Sequence, residues 1–167
     1  VERMFIKLDG LVFPDCGLSN GAINLKPLFK NYSINWSNGD STFNINNLDG
    51  NNYVATIDDG TCTDTASIFL TVDPLPTANQ TTMNLCDNGT GQAIFDLTTL
   101  NVTVDGGGGN AVLWYTDGTL GTQIVPDNAF LTGNTAIYAQ VTDGVTGCID
   151  TASITLTVDP LPTAIDL

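Results

Sequence analysis

The stretch Asp-Thr-Ala-Ser-Ile-Phe-Leu-Thr-Val-Asp-Pro-Leu-Pro-Thr-Ala, residues Asp64–Ala78, recurs at Asp150–Ala164. The two copies lie 86 residues apart and match at 14 of 15 positions, with Thr155 in place of Phe69. Self-similarity at a fixed period is the signature of a tandem array. We therefore predict one repeat over 1–75 and a second over 76–163. Residues 164–167 are predicted to begin a following repeat or to form a tail, which favours a piece of a longer repetitive protein.

The pattern of side chains predicts strands in both repeats. Short runs rich in Val, Ile, Thr and aromatic residues alternate with Asn-Gly, Asp-Gly and Gly clusters, and helical periodicity is weak throughout. Ala152–Val158 alternates apolar and polar residues with the period of a half-buried strand. The predicted strands are Ala22–Leu25, Ser33–Trp36, Thr42–Ile45, Tyr53–Asp58, Ala66–Val72, Ala93–Leu97, Asn101–Val104, Ala111–Tyr115, Gln123–Val125, Ala136–Thr142 and Ala152–Val158.

Each repeat places one tryptophan, Trp36 or Trp114, between two cysteines. Six or seven short strands around a central Trp and a disulfide are typical of an immunoglobulin-like sandwich. The predicted fold class is all-β: two tandem immunoglobulin-like β-sandwich domains, each with one intradomain disulfide, joined by a Pro-rich linker. Pro-Leu-Pro in that linker, Val72–Ala78, favours an extended, semi-rigid connection. Proline also ends a strand and protects its edge, and both roles are compatible.

The four cysteines are distributed two to a repeat. Sequence alone permits three connectivities, and the one that respects the repeats pairs Cys16 with Cys62 and Cys86 with Cys148. The others would cross-link the domains. A zinc site is the competing interpretation, but the chain has no Cys-x-x-Cys spacing and no His. Disulfides favour an oxidising, extracellular or cell-surface location.

Charge is strongly one-sided, with a formal net charge of -14. The four basic residues lie within the first 30 positions, and no Lys, Arg or His follows. Binding of nucleic acid or of an anionic membrane surface requires basic residues, so both partners are disfavoured. The acidity fits two interpretations equally: solubility through electrostatic repulsion, or cation binding.

Catalysis and membrane insertion find little support. Without His, neither a Ser-His-Asp nor a Cys-His arrangement can form. Gly106–Gly109 lacks the Lys and helix of a phosphate-binding loop and is predicted to be a flexible connection. Asp58 and Asp59 are adjacent and point to opposite faces of a strand, unlike a glycosidase pair. No stretch approaches the roughly 20 apolar residues of a membrane span. We predict a non-enzyme without a resident cofactor, calcium apart.

Three segments carry a family resemblance. Leu85–Thr98, Leu113–Tyr115 and Tyr138–Cys148 resemble the immunoglobulin-like repeats of large Bacteroidetes cell-surface proteins, including gliding-motility adhesins and type IX secretion cargo. The resemblance covers the second repeat and, more loosely, Cys16–Ala78, whose Cys-to-Cys segment is 16 residues shorter. It implies a sandwich fold, export and a structural or adhesive role, and it implies no catalytic residues.

The resemblance also implies O-glycosylation. Exported proteins of this group carry O-glycans on Asp-Ser/Thr followed by an apolar residue or Thr. The candidate acceptors are Thr65 and Thr151, in the two Asp-Thr-Ala motifs, and Ser41 in a looser match. The simpler interpretation is that Thr65 and Thr151 merely begin the last strand of each repeat.

Calcium is the candidate metal, because it takes oxygen ligands and the predicted turns are rich in Asp and Asn. The candidate ligands are Asp87, Asn88, Asp143, Asp73 and Asp159. No complete calcium-loop spacing is present, and turn Asp and Asn side chains commonly bind local backbone amides instead.

The predicted function is a structural or adhesive repeat of an extracellular stalk, filament or adhesin, with neighbouring repeats as partners. One alternative is a carbohydrate-binding module that uses Tyr115 to bind polysaccharide or glycans. Another is a self-assembling filament subunit. Residues 1–15 are expected to be the first strand of repeat one, and in the filament alternative residues 1–13 complete the sheet of another subunit.

Overall fold

The computed structural model describes residues 6–28 and 32–163. The chain divides into two compact units, with the boundary between Pro74 and Leu75. We call the part up to Pro74 unit 1 and the part from Leu75 unit 2. Strands dominate both units, so the predicted all-β class is confirmed. The assignment of two independent domains, the linker and the tail over 164–167 stay predictions, and 164–167 lies outside the described residues.

Unit 1 contains two three-stranded antiparallel sheets. One sheet has the order β1-β2-β4 and the other the order β3-β5-β6. Residues 1–5 lie outside the described chain, but the predicted first strand is present after them, as β1. The strands are β1 (Ile6–Val12), β2 (Gly21–Pro27), β3 (Ser33–Trp36), β4 (Asn44–Leu48), β5 (Asn52–Asp58) and β6 (Thr63–Phe69).

The core of unit 1 lies between its two sheets. Ile23 of β2 and Ile45 of β4 belong to the same buried cluster as Trp36 of β3 and Ala55 of β5. Alternate residues of β5 are buried, as expected of a strand that covers a core with one face. The indole Nε1 of Trp36 donates a hydrogen bond of 2.9 Å to the carbonyl oxygen of Thr42, which satisfies the one polar group of this large core side chain.

Unit 2 has a four-stranded sheet of order β7-β12-β11-β9 and a two-stranded sheet of β10 and β8. All pairings are antiparallel except β7 with β12, which is parallel and joins the first and last strands of the unit. The strands are β7 (Thr81–Cys86), β8 (Ala93–Phe95), β9 (Ala111–Tyr115), β10 (Phe130–Thr132), β11 (Thr135–Thr142) and β12 (Ile149–Asp159).

A short helical crossover connects β8 to β9. A 3-10 turn, Leu97–Leu100, leads directly into a single-turn helix, α1 (Asn101–Asp105). Leu97 and Val104 from this crossover pack into the same buried cluster as Phe95, Trp114 and strands β11 and β12. The corresponding connection in unit 1 runs only from Pro27 to Ser33, so this crossover accounts for much of the extra length between the cysteines of repeat two.

Two of the predicted strands are wrong. Asn101–Val104 is α1 instead of a strand, because Leu97, Val104 and the Asn101 side chain all turn toward the core from a helical path. Gln123–Val125 contributes only an isolated bridge between Gln123 and Tyr115. The other predicted strands are present, Ser33–Trp36 and Ala111–Tyr115 with the predicted bounds and the rest with shifted ends. Ala152, Ile154 and Leu156 of the alternating segment are buried, as predicted.

Candidate functional site

The cysteines do not pair within each repeat. Cys16 and Cys148 are disulfide-bonded, whereas Cys62 and Cys86 are exposed free thiols. The predicted Cys16–Cys62 and Cys86–Cys148 bonds are therefore both wrong. The prediction assumed that the two cysteines of each repeat pair with each other. This assumption was wrong because the local sequence around a cysteine does not specify its partner.

The first cysteines of the two units occupy equivalent backbone positions. The amide of Asp87, the residue after Cys86, donates a hydrogen bond of 2.8 Å to the carbonyl oxygen of Asp159. The amide after Cys16, that of Gly17, donates 3.0 Å to the carbonyl oxygen of Asp73, the residue that matches Asp159 in the repeated sequence. The same backbone hydrogen bond thus follows a bonded cysteine in one unit and a free thiol in the other, although Cys16 lies in a turn with a φ of 39° and Cys86 is the last residue of strand β7.

The second cysteines are likewise equivalent. Cys148 lies in the turn before β12, where its carbonyl accepts 2.9 Å from the amide of Asp143. Cys62 lies in the turn before β6, where its carbonyl accepts 3.2 Å from the amide of Asp59. Cys148 is fully buried and Cys62 is exposed.

The predicted calcium ligands bind backbone amides. Oδ1 of Asp87 accepts from the amides of Gly89, Thr90 and Gly91 at 2.8 to 3.0 Å. Desolvation alone would raise the pKa of Asp87, but these bonds outweigh it and lower that pKa. Asn88 is bound to Thr90 in the same loop.

The other candidate ligands also accept hydrogen bonds from backbone amides, through either the side chain or the backbone carbonyl. Oδ1 of Asp143 accepts hydrogen bonds of 2.8 Å from the amides of Thr146 and Val145. These two bonds lower the pKa of Asp143. Asp73 and Asp159 are exposed and bind Gly17 and Asp87 through their carbonyls. Within residues 6–28 and 32–163, no group of three or more acidic or cysteine side chains could hold a metal ion. Calcium binding stays a prediction.

Asp105 is a buried carboxylate that the sequence analysis did not single out. Oδ2 accepts from the amides of Gly109 and Asn110, and Oδ1 accepts 2.7 Å from Nδ2 of Asn110. Desolvation would raise the pKa of Asp105, but these bonds lower it overall. The glycine run 106–109 is therefore wrapped around Asp105, and the sequence signal was an Asp immediately before the glycines and an Asn after them.

The three predicted O-glycan acceptors, Ser41, Thr65 and Thr151, are all exposed. Thr65 lies on β6 opposite Thr56, and Thr151 lies on β12 opposite Gln140. Their exposure is compatible with modification, which stays a prediction.

An apolar groove of about 320 Å³ opens in unit 1 between the edge strands of its two sheets. Edge strand β1 contributes Ile6 and Leu8, and edge strand β6 contributes the first part of the repeated sequence. The full lining is Ile6, Leu8, Leu25, Ala55, Ile57, Asp64, Thr65, Ala66 and Ile68.

Tyr115 and Tyr138 lie directly opposite each other on neighbouring strands β9 and β11. Both are partly exposed, whereas Trp114 is buried beside Tyr115 on the other face of the sheet. The outer face of unit 2 therefore presents a pair of tyrosines.

Comparison with known proteins supports a Flavobacterium-type domain in the second repeat. Residues 82–162, a little under half of the chain, match the profile of a family described as Flavobacterium inter-domain disulphide bond domain. This agrees with the resemblance to Bacteroidetes repeats at its coarser level. No curated protein matches. No helix among the described residues is long and apolar enough to cross a membrane.

Solved structures with similar folds are immunoglobulin-domain proteins. A three-immunoglobulin-domain fragment of titin is 12% identical, with a TM-score of 0.37 over 95% of this chain and 67% of the fragment. The insect immune protein hemolin is 10% identical, with a TM-score of 0.44 over 95% of this chain and 48% of hemolin. The chain thus spans about half the length of hemolin. At these TM-scores the likeness carries no argument about function.

Proposed function

We propose that this chain is a structural or adhesive repeat of an extracellular stalk, filament or adhesin, and that it is not an enzyme. The observation that carries the proposal is the state of the cysteines. The disulfide-bonded cysteines are Cys16, the first cysteine of unit 1, and Cys148, the second cysteine of unit 2. The free thiols are the second cysteine of unit 1, Cys62, and the first of unit 2, Cys86.

In an array whose disulfides run from the first cysteine of one repeat to the second cysteine of the next, Cys62 bonds to a preceding repeat and Cys86 to a following one. The exposure of both thiols supports this arrangement. Each disulfide then acts as a covalent tie along the array, which limits extension under load. The family description, which refers to an inter-domain disulfide, points the same way.

A cell-surface or secreted location follows from the same chemistry. Disulfides persist in oxidising compartments and are rare in reducing ones. The resemblance to exported Bacteroidetes repeats supports this location. The high negative charge from Asn31 onward keeps neighbouring arrays apart.

The test is oxidative linking of copies of this chain. One Cys62 thiol and one Cys86 thiol of two copies react with one oxidised glutathione, giving one protein disulfide and two reduced glutathiones. We expect a ladder of dimers, trimers and longer species on a non-reducing gel, with Cys62–Cys86 peptides in the digest.

Matched variants separate this outcome from non-specific oxidation. Cys62→Ser and Cys86→Ser each leave one thiol, so each should stop at a dimer, and the double variant should stay monomeric. A wild type that stops at dimers, or that yields mainly Cys62–Cys62 and Cys86–Cys86 peptides, would contradict the proposal.

A carbohydrate-binding module is the second candidate, favoured by the partly exposed pair Tyr115 and Tyr138. Two neighbouring aromatic rings on an outer sheet face offer an apolar platform to a sugar ring. Binding to polysaccharide that is lost in Tyr115→Ala and retained in Tyr32→Ala, a tyrosine of unit 1, would favour it.

The donated-strand alternative has less support, because β1 pairs with β2 of its own unit over Ile6–Val12.

A further inference from the structure

The repeated segment Asp-Thr-Ala-Ser-Ile is more exposed to solvent in unit 1 than in unit 2. Ala152 of unit 2 is 4% exposed, whereas Ala66, its equivalent in unit 1, is exposed and lines the apolar groove. The isoleucine two residues further along each strand shows the same difference in burial. Ile154 of unit 2 is fully buried, whereas Ile68 of unit 1 is only partly buried. Since the local sequences are identical here, the difference lies in what packs over them.

In unit 2 the cover includes the end of the Pro-Leu-Pro-Thr-Ala sequence. The amide of Ala78 donates 2.8 Å to Oδ2 of Asp150, and its side chain packs against the core cluster that contains Ala152. The amide of Asn79 donates 2.8 Å to the carbonyl of Val104 in α1. The linker end therefore packs against the core of unit 2 and is hydrogen-bonded to α1.

Among the residues that the structure describes, unit 1 presents the same acceptor without that cover. Oδ1 of Asp64 accepts 2.8 Å from the amide of Thr65, as Oδ1 of Asp150 does from the amide of Thr151. Among the described residues, Oδ2 of Asp64 takes no bond matching the one that Ala78 gives to Asp150. Asp64, Thr65 and Ala66 all line the groove, so an acidic residue borders it.

We propose that this groove binds the Pro-Leu-Pro-Thr-Ala segment that follows β12 in a second copy of this chain. Its alanine fits over Ala66, and the amide of that alanine donates to Oδ2 of Asp64. Leu161 of this segment is 55% exposed, and Pro160–Thr163 is exposed throughout, so the segment is accessible for docking.

This contact is head-to-tail, because a segment at the end of unit 2 meets a groove in unit 1. Heterologous contacts of this kind build rings or open filaments. The inference goes beyond the proposed disulfide array, since it names a non-covalent surface, and it is tested in a variant that lacks both free thiols.

The experiment uses the full chain carrying Cys62→Ser and Cys86→Ser. A fluorescein-labelled peptide, Asp-Pro-Leu-Pro-Thr-Ala-Asn-Gln (the sequence of residues 73–80), is titrated with this protein and followed by anisotropy. We expect saturable binding that weakens about tenfold or more in Ala66→Lys, because a lysine on an edge strand opposes pairing. Ile94→Lys, at an exposed position of unit 2, is the matched control and should bind as the parent does.

A second peptide tests the hydrogen bond. Replacing its alanine by N-methylalanine removes the donor to Asp64 and should weaken binding several-fold, whereas in Asp64→Ala the two peptides should bind alike. Binding that does not saturate, or that is equal in Ala66→Lys, would overturn the proposal.

Sedimentation velocity of the thiol-free chain identifies the occupant. Association that rises with concentration should disappear in a chain ending at Asp159, which lacks the docking segment. Association that persists in the shortened chain would show that another surface, such as two β6 edges, joins the copies, and would overturn the assignment.

Discussion

The indole Nε1 of Trp114 donates a hydrogen bond of 3.0 Å to Oδ1 of Asn101. This bond joins β9 to the first residue of α1 and satisfies the polar group of a side chain that is 1% exposed. The described residues of unit 1 include no such crossover, and Trp36 there uses a backbone carbonyl, that of Thr42. The two tryptophans thus share a place in the fold and differ in how their N–H is satisfied.

Asn101→Ala should destabilise unit 2 by about 1–3 kcal/mol, the cost of leaving a buried donor without an acceptor. Asn101→Asp keeps an acceptor oxygen and should lose less. The measurement is the free energy of unfolding from urea denaturation followed by Trp fluorescence. Thr42→Ala is the matched control in unit 1, because the carbonyl that Trp36 uses is retained. Equal losses in Asn101→Ala and Thr42→Ala would contradict the role assigned to Asn101.

Substitution by lysine should change the free energy of unfolding much more at Ala152 than at Ala66, its equivalent in unit 1. Ala152→Lys places an unpaired charge in the core and should destabilise unit 2 by about 3–5 kcal/mol. Ala66→Lys adds a charge to an exposed edge and should stay within about 0.5 kcal/mol of the wild type. Chemical denaturation of both variants checks this, and similar losses at the two positions would show that Ala66 is covered in solution.

Stability should fall in acid because five carboxylates have pKa values below their usual range. Bonds from the backbone amides of Cys62 and Thr61 lower the pKa of Asp59, and bonds from Thr119 and Gly121 lower that of Asp117. The remaining three are Asp87, Asp105 and Asp143. A folded pKa below the unfolded value, which is about 3.9 for Asp, stabilises the fold above that value.

This stabilisation is lost as the pH falls through the folded pKa values. Tm should therefore change little between about pH 5 and 8 and decrease below about pH 4. In Asp117→Asn the acid-induced decrease should be smaller than in the wild type, because one of the coupled protonations is removed. Asp9→Asn, a change on an exposed part of β1, is the control. A Tm that rises on acidification would contradict the sign of this effect.

Alkylation before reduction should label two cysteines in each chain, Cys62 and Cys86, and intact mass should show one disulfide. Cys62→Ser and Cys86→Ser should leave Tm nearly unchanged, because both thiols are exposed. Cys16→Ser removes the disulfide and should destabilise the protein by about 2–5 kcal/mol. Labelled peptides that contain Cys16 or Cys148 would contradict the assigned bonding.

Most strands follow from local sequence because a half-buried strand imposes a period of two on its side chains. Ser33–Trp36 and Ala111–Tyr115 have the predicted bounds. Asn101–Val104 was not predictable in this way, because a short apolar run does not distinguish a strand from a buried helical turn. Asp105 was missed for a related reason, since its role depends on three-dimensional wrapping of the glycine run.

The sequence by itself determined the repeat, the all-β class, the central place of Trp36 and Trp114 and the strongly acidic character. These are properties of local pattern and composition. Tertiary structure decided which cysteines are bonded and which of two identical segments is buried. Ala66 and Ala152 have the same immediate neighbours in sequence, yet Ala152 is buried in the core cluster against which Ala78 packs, whereas Ala66 is exposed. Bonding and burial depend on residues distant in the chain, and a local pattern carries no information about them.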